Sequence, residues 1–116
     1  MGRQALDAPR GQFFMMDPDE LALIVDKAHP LYDRRVERPL TEQFIRNVDA
    51  FGVKEHIKGR KSGGAVEVVN GRRRVRAGRE VNRRRREQGR DPLLIPVDLE
   101  RGTDQDMDAL MVITNE

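Results

Sequence analysis

The residues with the most chemistry to offer are the arginines between Asn70 and Arg90, in NGRRRVRAGREVNRRRREQGR. Ten arginines meet only Glu80 and Glu87 there, although the whole chain has a formal charge of just +2. So dense a run of guanidinium groups is suited to anions. The stretch opens with Asn70-Gly71 directly after the alternating apolar run AVEVV and then reads as helix, so Gly71 falls where a strand turns into a helix N-terminus. Such a junction aims unpaired backbone N–H groups and the positive end of the helix dipole at one point. Arg72, Arg73, Arg74 and Arg76 add planar, bidentate donors that suit phosphate better than lysine would. An arginine-rich helix can equally be a solvated face, an alternative that weighs most on Arg83 to Arg86 at the far end. The strand-glycine-helix context favours an anion site at the opening GRRR. Charge alone does not separate a nucleotide from a nucleic acid.

Other reactive side chains offer less. His29 and His56 lie far apart in sequence, and neither has a second ligand at metal spacing, so packing or solvent exposure is expected for both. Asp17, Asp19 and Glu20 could pair for metal or acid-base work, but Asp17-Pro18-Asp19 is ordinary turn spelling. Asp104, Asp106 and Asp108 fall at the start of an expected helix, where negative charge is stabilising in any case. The chain has no cysteine, which removes disulfides, thiolate catalysis and cysteine zinc sites together and fits a reducing cytoplasm. The methionines suit a core.

The elements that must position the arginines fit one domain. Apolar and charged residues are 37% and 36% of the 116 residues, a modest core under a heavily charged surface. With four Phe, one Tyr and no Trp, base stacking on aromatic platforms is not the expected mode of any nucleic-acid contact. No run approaches the roughly eighteen apolar residues of a membrane span, and the N-terminus lacks a hydrophobic signal core.

Residues 1–12 read as a tail or pairing arm ahead of a domain over 13–116. QFFMM has strand length, Asp17-Pro18-Asp19 breaks it, and the length of LALIV (21–25) favours a second strand. Residues 27–39 form an irregular connector with Arg34, Arg35 and Arg38. Thr41 is a candidate N-cap for a helix with Phe44, Ile45, Val48 and Phe51 on one face, ended by Gly52. HIKGR and AVEVV around Lys61-Ser62-Gly63-Gly64 spell a hairpin. The arginine helix follows, with Val75, Gly78 and Val81 as a thin apolar stripe, and Gly89-Arg90-Asp91-Pro92 stops it. LLIPV (93–97) reads as a buried strand. A last helix is expected from Thr103, with Met107, Leu110, Met111 and Thr114 on one face. The absence of a stop signal at Asn115-Glu116 suggests a trimmed piece, or a short relative, of a longer protein. The expected class is α/β (α+β), a small mixed sheet with three main helices.

In their order and spacing these residues resemble the N-terminal domain of the ParB/sulfiredoxin superfamily, the ParB-like "nuclease" domain of partition proteins, from about Phe13 to Glu116. HPLYDRR resembles the asparagine-proline loop ending in a phosphate-facing arginine, here Arg34. TEQFIRNVDAFGVKEHIKGR resembles the first box, a helix followed by a glycine-x-x-glutamine-proline-isoleucine turn and a strand. NGRRRVRA resembles the second box, glycine-glutamate-arginine-arginine followed by arginine-alanine, and TNE resembles the asparagine motif of the last helix.

The resemblance implies a nucleoside triphosphate, CTP or a related nucleotide, with Mg²⁺, whose binding closes a homodimer on DNA. Gly52 and Glu55 would touch base or phosphate. Asn70, Gly71, Arg72, Arg73 and Arg74 would surround the phosphates, and Asn115 with Glu116 would stand at the metal. Arg72 replaces the family's glutamate, exchanging a group that can hold Mg²⁺ for one that repels it. Glu55 and His56 replace glutamine and proline. The expected outcome is anion binding with weak or absent hydrolysis, at most a weak nucleoside triphosphatase or a nuclease. The sulfiredoxin branch needs a cysteine in its second box, so that chemistry is excluded. The rival expectation is a DNA-binding or nuclease domain that grips the phosphate backbone with Arg76, Arg79, Arg83, Arg84 and Arg86.

Overall fold

A computed structural model describes residues 13–34 and 38–100. In chain order the elements are β1 (Phe13–Met16), a 3-10 turn (Pro18–Glu20), β2 (Leu21–Ala22), α1 (Glu42–Phe51), β3 (Ile57–Ser62), β4 (Ala65–Asn70), α2 (Arg72–Glu87) and β5 (Ile95–Glu100). The strands form one five-stranded sheet in the order β1-β5-β3-β4-β2. β1 is antiparallel to β5 and β3 to β4, while β5 runs parallel to β3 and β2 to β4. This is the mixed α/β class expected.

The local chemistry explains each boundary. Thr41 is extended and its hydroxyl accepts from the Phe44 N–H at 3.2 Å, capping α1. Gly63 and Gly64 have φ of +55° and +84°, the left-handed pair a two-residue hairpin turn needs between β3 and β4. Asn82, buried in α2, clasps the approach to β5 from both sides: its Nδ2 donates to the Leu93 carbonyl at 3.0 Å and its Oδ1 accepts from the Leu93 N–H at 2.6 Å.

One sheet face carries the main core, in which Val75 of α2 meets Phe14, Ile57, Val66, Val68, Ile95 and Val97. α2 is the middle layer. Its other side, Ala77 and Val81, packs against Ile45 and Val48 of α1. Beneath the connector a smaller cluster of Ile24, Leu31 and Val69 covers the opposite sheet face.

Several expectations are corrected. Of LALIV only Leu21–Ala22 is strand, because two residues are all that pair with β4. The strand expected at 93–97 begins instead at Ile95 and extends to Glu100, since pairing with β3 continues to Arg60↔Glu100. Two α-helices and a 3-10 turn are found among the described residues where three main helices were expected, and the helix expected from Thr103 lies outside them. Phe51, expected on the core face of α1, is 72% exposed and lines a cleft, while Ile45 and Val48 are the residues of α1 that are buried against α2.

Candidate functional site

Gly71 is the hinge of the site. It sits between β4 and α2 with φ +103° and ψ +20°, and its carbonyl accepts from Val75 at 3.0 Å as the first helical bond. Gly71, as the N-cap residue, has no side chain with which to cap α2. A Cβ on Gly71 would lie 2.5 Å from Ile57 Cδ1 and 3.3 Å from Ile57 Cα, so both the left-handed backbone and the close approach of β3 demand glycine.

Beside this junction lies a cleft of about 980 Å³, lined by Asn70 and Arg72 on either side of Gly71, which is itself buried and not among the lining residues. One wall is the face of α1 with Phe44, Asn47, Val48 and Phe51; another is the segment from Gly52 to His56; the start of α2 lies between them. Arg38, Lys54, Lys58, Arg72, Arg73 and Arg74 line it against the carboxylates of Glu55 and Asp98. Such an excess of cations in a concave site focuses a positive potential on it.

The three arginines of GRRR have different positions. Arg73 is exposed and stacks its guanidinium 4.1 Å above the Phe44 ring, leaving its edge donors toward solvent. Arg74 is a cross-tie: Nη1 donates to the Glu55 carbonyl at 2.7 Å and to the His56 carbonyl at 3.2 Å, and Nη2 reaches Asn70 Oδ1 at 3.4 Å. Arg72 is buried, and its Nη2 donates to the Leu31 carbonyl at 3.1 Å. It lends the cleft its charge and its backbone while anchoring the connector.

The remaining expected site residues distribute as follows. Gly52, Glu55 and Asn70 line the cleft, the Glu55 side chain 86% exposed. Arg34 is exposed and is not among the residues that line it. Asn115 and Glu116 lie outside the described residues. Of the arginines assigned to DNA, Arg83 pairs with Glu80 at 2.7 Å and Glu87 at 2.8 Å, Arg84 with Glu42 at 2.6 Å and Glu80 at 2.8 Å, and Arg86 with Asp19 at 3.3 Å. Arg76 donates to the Arg38 carbonyl, and Arg79 to the carbonyls of Pro18 at 3.2 Å and Leu21 at 2.5 Å. Much of the arginine charge is thus spent holding the domain together. The Arg84 and Arg46 guanidiniums hold Glu42 down to about 2, and Arg83 and Arg84 hold Glu80 down to about 2.

Sequence reasoning missed a second group. His56 Nδ1 lies 2.9 Å from Asp98 Oδ1, Lys58 Nζ lies 2.8 Å from Asp98 Oδ2, and Phe13 packs on the imidazole with centroids 4.6 Å apart. Burial opposes the charge of Asp98, but Lys58 and His56 outweigh it and hold the carboxyl below its usual range. Only the parallel register Lys58↔Asp98 brings these residues together, and no local pattern encodes that register. Among the described residues no group of three His, Cys, Asp or Glu could hold a metal ion, and no metal-dependent step is assigned to them.

No protein-family model matches the chain, and no curated protein matches it. Solved structures do. The C-terminally truncated chromosome-partitioning protein ParB from Caulobacter crescentus, complexed with CTP-gamma-S, superposes with a TM-score of 0.61 over 90% of this chain at 19% identity. The chain has the ParB/sulfiredoxin fold. Sulfiredoxin from Arabidopsis thaliana gives a TM-score of 0.48 at 11% identity, over 84% of this chain and 94% of its own. The ParB-like chain spans about half, 53%, of the ParB structure it matches. Among the described residues of this ParB-like fold, no helix is long and apolar enough to cross a membrane.

Proposed function

We propose that the chain is a ParB-like nucleoside triphosphate-binding domain, of the CTP type, with the phosphates held at the Gly71–Arg74 turn. The observation that carries this reading is the left-handed Gly71, which sets the first turn of α2 and the exposed Arg73 guanidinium beside one cation-lined cleft. The fold shared with a CTP-gamma-S-bound ParB supports it. Arg73 is the side-chain phosphate ligand, Arg74 positions the Glu55–His56 backbone, and Arg72 supplies positive charge in place of a carboxylate. Hydrolysis is weak or absent on this reading, because the two described carboxylates of the cleft are engaged by cations: Glu55 Oε2 lies 3.7 Å from Arg74 Nη1, and Asp98 is committed to Lys58 and His56. Nucleotide-driven homodimerisation, a place in a DNA-associated partition or regulatory protein and a cytoplasmic location complete the proposal. Titration calorimetry with the four ribonucleoside triphosphates, with and without Mg²⁺, tests it. Binding of at least one without turnover is expected; no binding of any, or rapid turnover, overturns it.

A second reading is favoured by Arg76, whose guanidinium is bonded to the neutral carbonyl of Arg38, so that its charge remains available to a phosphate. On it, Arg76 and Arg79, with Arg83, Arg84 and Arg86 released from their carboxylates, would grip a DNA backbone. Affinity for short duplex DNA should then fall steeply between 50 and 200 mM salt, by about a thousandfold if some six phosphates are contacted. A shallow dependence rejects it.

A further inference from the structure

The chain has few aromatic rings, and the core takes Phe14 at 5% exposure, yet Phe51 is left 72% exposed on the wall of the cleft. It is the last residue of α1, and the backbone turns away directly after it at Gly52. Phe44 stands two helical turns earlier on the same face, about 10 Å along the axis, and already carries the Arg73 guanidinium on its ring. The wall formed by α1 therefore presents a bare ring at one end and an arginine fork at the other, with the start of α2 beside them. Those are the two recognition chemistries of a molecule with a planar heterocycle at one end and a polyphosphate at the other.

We infer that Phe51 is the stacking platform for the base of the bound nucleotide, so that the site takes nucleoside polyphosphates in preference to inorganic polyphosphate. This rests on the nucleotide-binding reading above and adds to it which residue meets the base and by what force. Stacking needs only a π-face, so it supplies affinity without selecting among bases.

The chain contains no tryptophan, which makes a direct test available, since Phe51→Trp introduces a single indole on that wall. Binding of CTP and of inorganic tripolyphosphate is measured by calorimetry for the wild type, Phe51→Ala and Phe51→Trp, with indole fluorescence followed in the last. Phe51 is mostly solvent-exposed, so neither change disturbs the core, and retained tripolyphosphate binding serves as the folding control. The wild type is expected to bind CTP roughly five- to a hundredfold more tightly than tripolyphosphate. Phe51→Ala is expected to remove that difference, and Phe51→Trp to keep it with quenching by CTP and none by tripolyphosphate. Equal affinities in the wild type, a preference that survives Phe51→Ala, or an indole indifferent to CTP overturns the inference while leaving phosphate binding at Gly71 standing. Failure of both ligands to bind the wild type removes the nucleotide-binding reading and this inference with it.

Discussion

The Arg74 guanidinium donates to the Glu55 carbonyl at 2.7 Å, tying the loop after α1 to the first turn of α2. Arg73, its neighbour, makes a ring contact with Phe44 and stays exposed. The two arginines should therefore respond differently to truncation. Arg74→Ala leaves carbonyls without their donor and is expected to cost about 1–2 kcal/mol of stability, read from urea denaturation. Arg73→Ala should change stability by less than about 1 kcal/mol. It should weaken nucleotide affinity about tenfold or more, as for loss of a charge-assisted hydrogen bond. Equal effects of the two on binding and stability would contradict this division.

Gly71→Ala should fail as a folded protein before it fails as a binder. Its φ of +103° is strained for any other residue, and the added methyl would meet Ile57 at 2.5 Å. The expected loss is about 3 kcal/mol or more, visible as a lowered denaturation midpoint without ligand. A normally stable Gly71→Ala would mean that the junction can rearrange.

Arg85→Ala tests the far end of α2. This guanidinium bonds the Asp49 carboxylate at 2.8 Å and its carbonyl at 3.0 Å, and also the Asp91 carbonyl, so it fastens both neighbouring segments to the helix. We expect a loss of about 2 kcal/mol in stability with nucleotide affinity unchanged in the folded fraction. A large drop in affinity would place the ligand nearer that end.

Acid should unfasten α1 from α2. Glu42 and Glu80 are both held down to about 2 in the folded state, below the ordinary value of 4.5. Lowered folded values mean that the unfolded chain takes up protons first. The stabilisation from these pairs is complete above about pH 4.5 and disappears as pH falls toward 2. The Glu42 side chain is about half exposed, so salt should shrink the effect. Urea denaturation across this range should show the wild type losing stability more steeply than Glu42→Gln/Glu80→Gln; identical slopes would show that the pairs contribute nothing.

Much of the scaffold was legible because its signals are local. Thr41 ahead of a 3.6-period stripe, Gly63-Gly64 between two runs, and Gly71 after AVEVV each specify a turn or cap within a few residues. What each arginine touches was not legible. Arg84 meets Glu42, Arg85 meets Asp49 and Arg86 meets Asp19, partners that only tertiary packing brings near. The same holds for His56 and Asp98, joined by parallel strand pairing. Phe51 kept the helical period yet escaped the core, because periodicity gives the face of a helix and not which part of that face its neighbour covers.

The strand order has a consequence for how the molecule is made. β5 lies inside the sheet, between β1 and β3, although it follows every other described strand along the chain. As a nascent chain leaves the ribosome, β1 has no strand neighbour until Ile95 to Asp98 have emerged, so this edge of the sheet joins the rest late. A ribosome stalled before Ile95 would hold Phe14 and Met16 open to water and to chaperones, so burial of β1 waits on the last of the described strands to be translated.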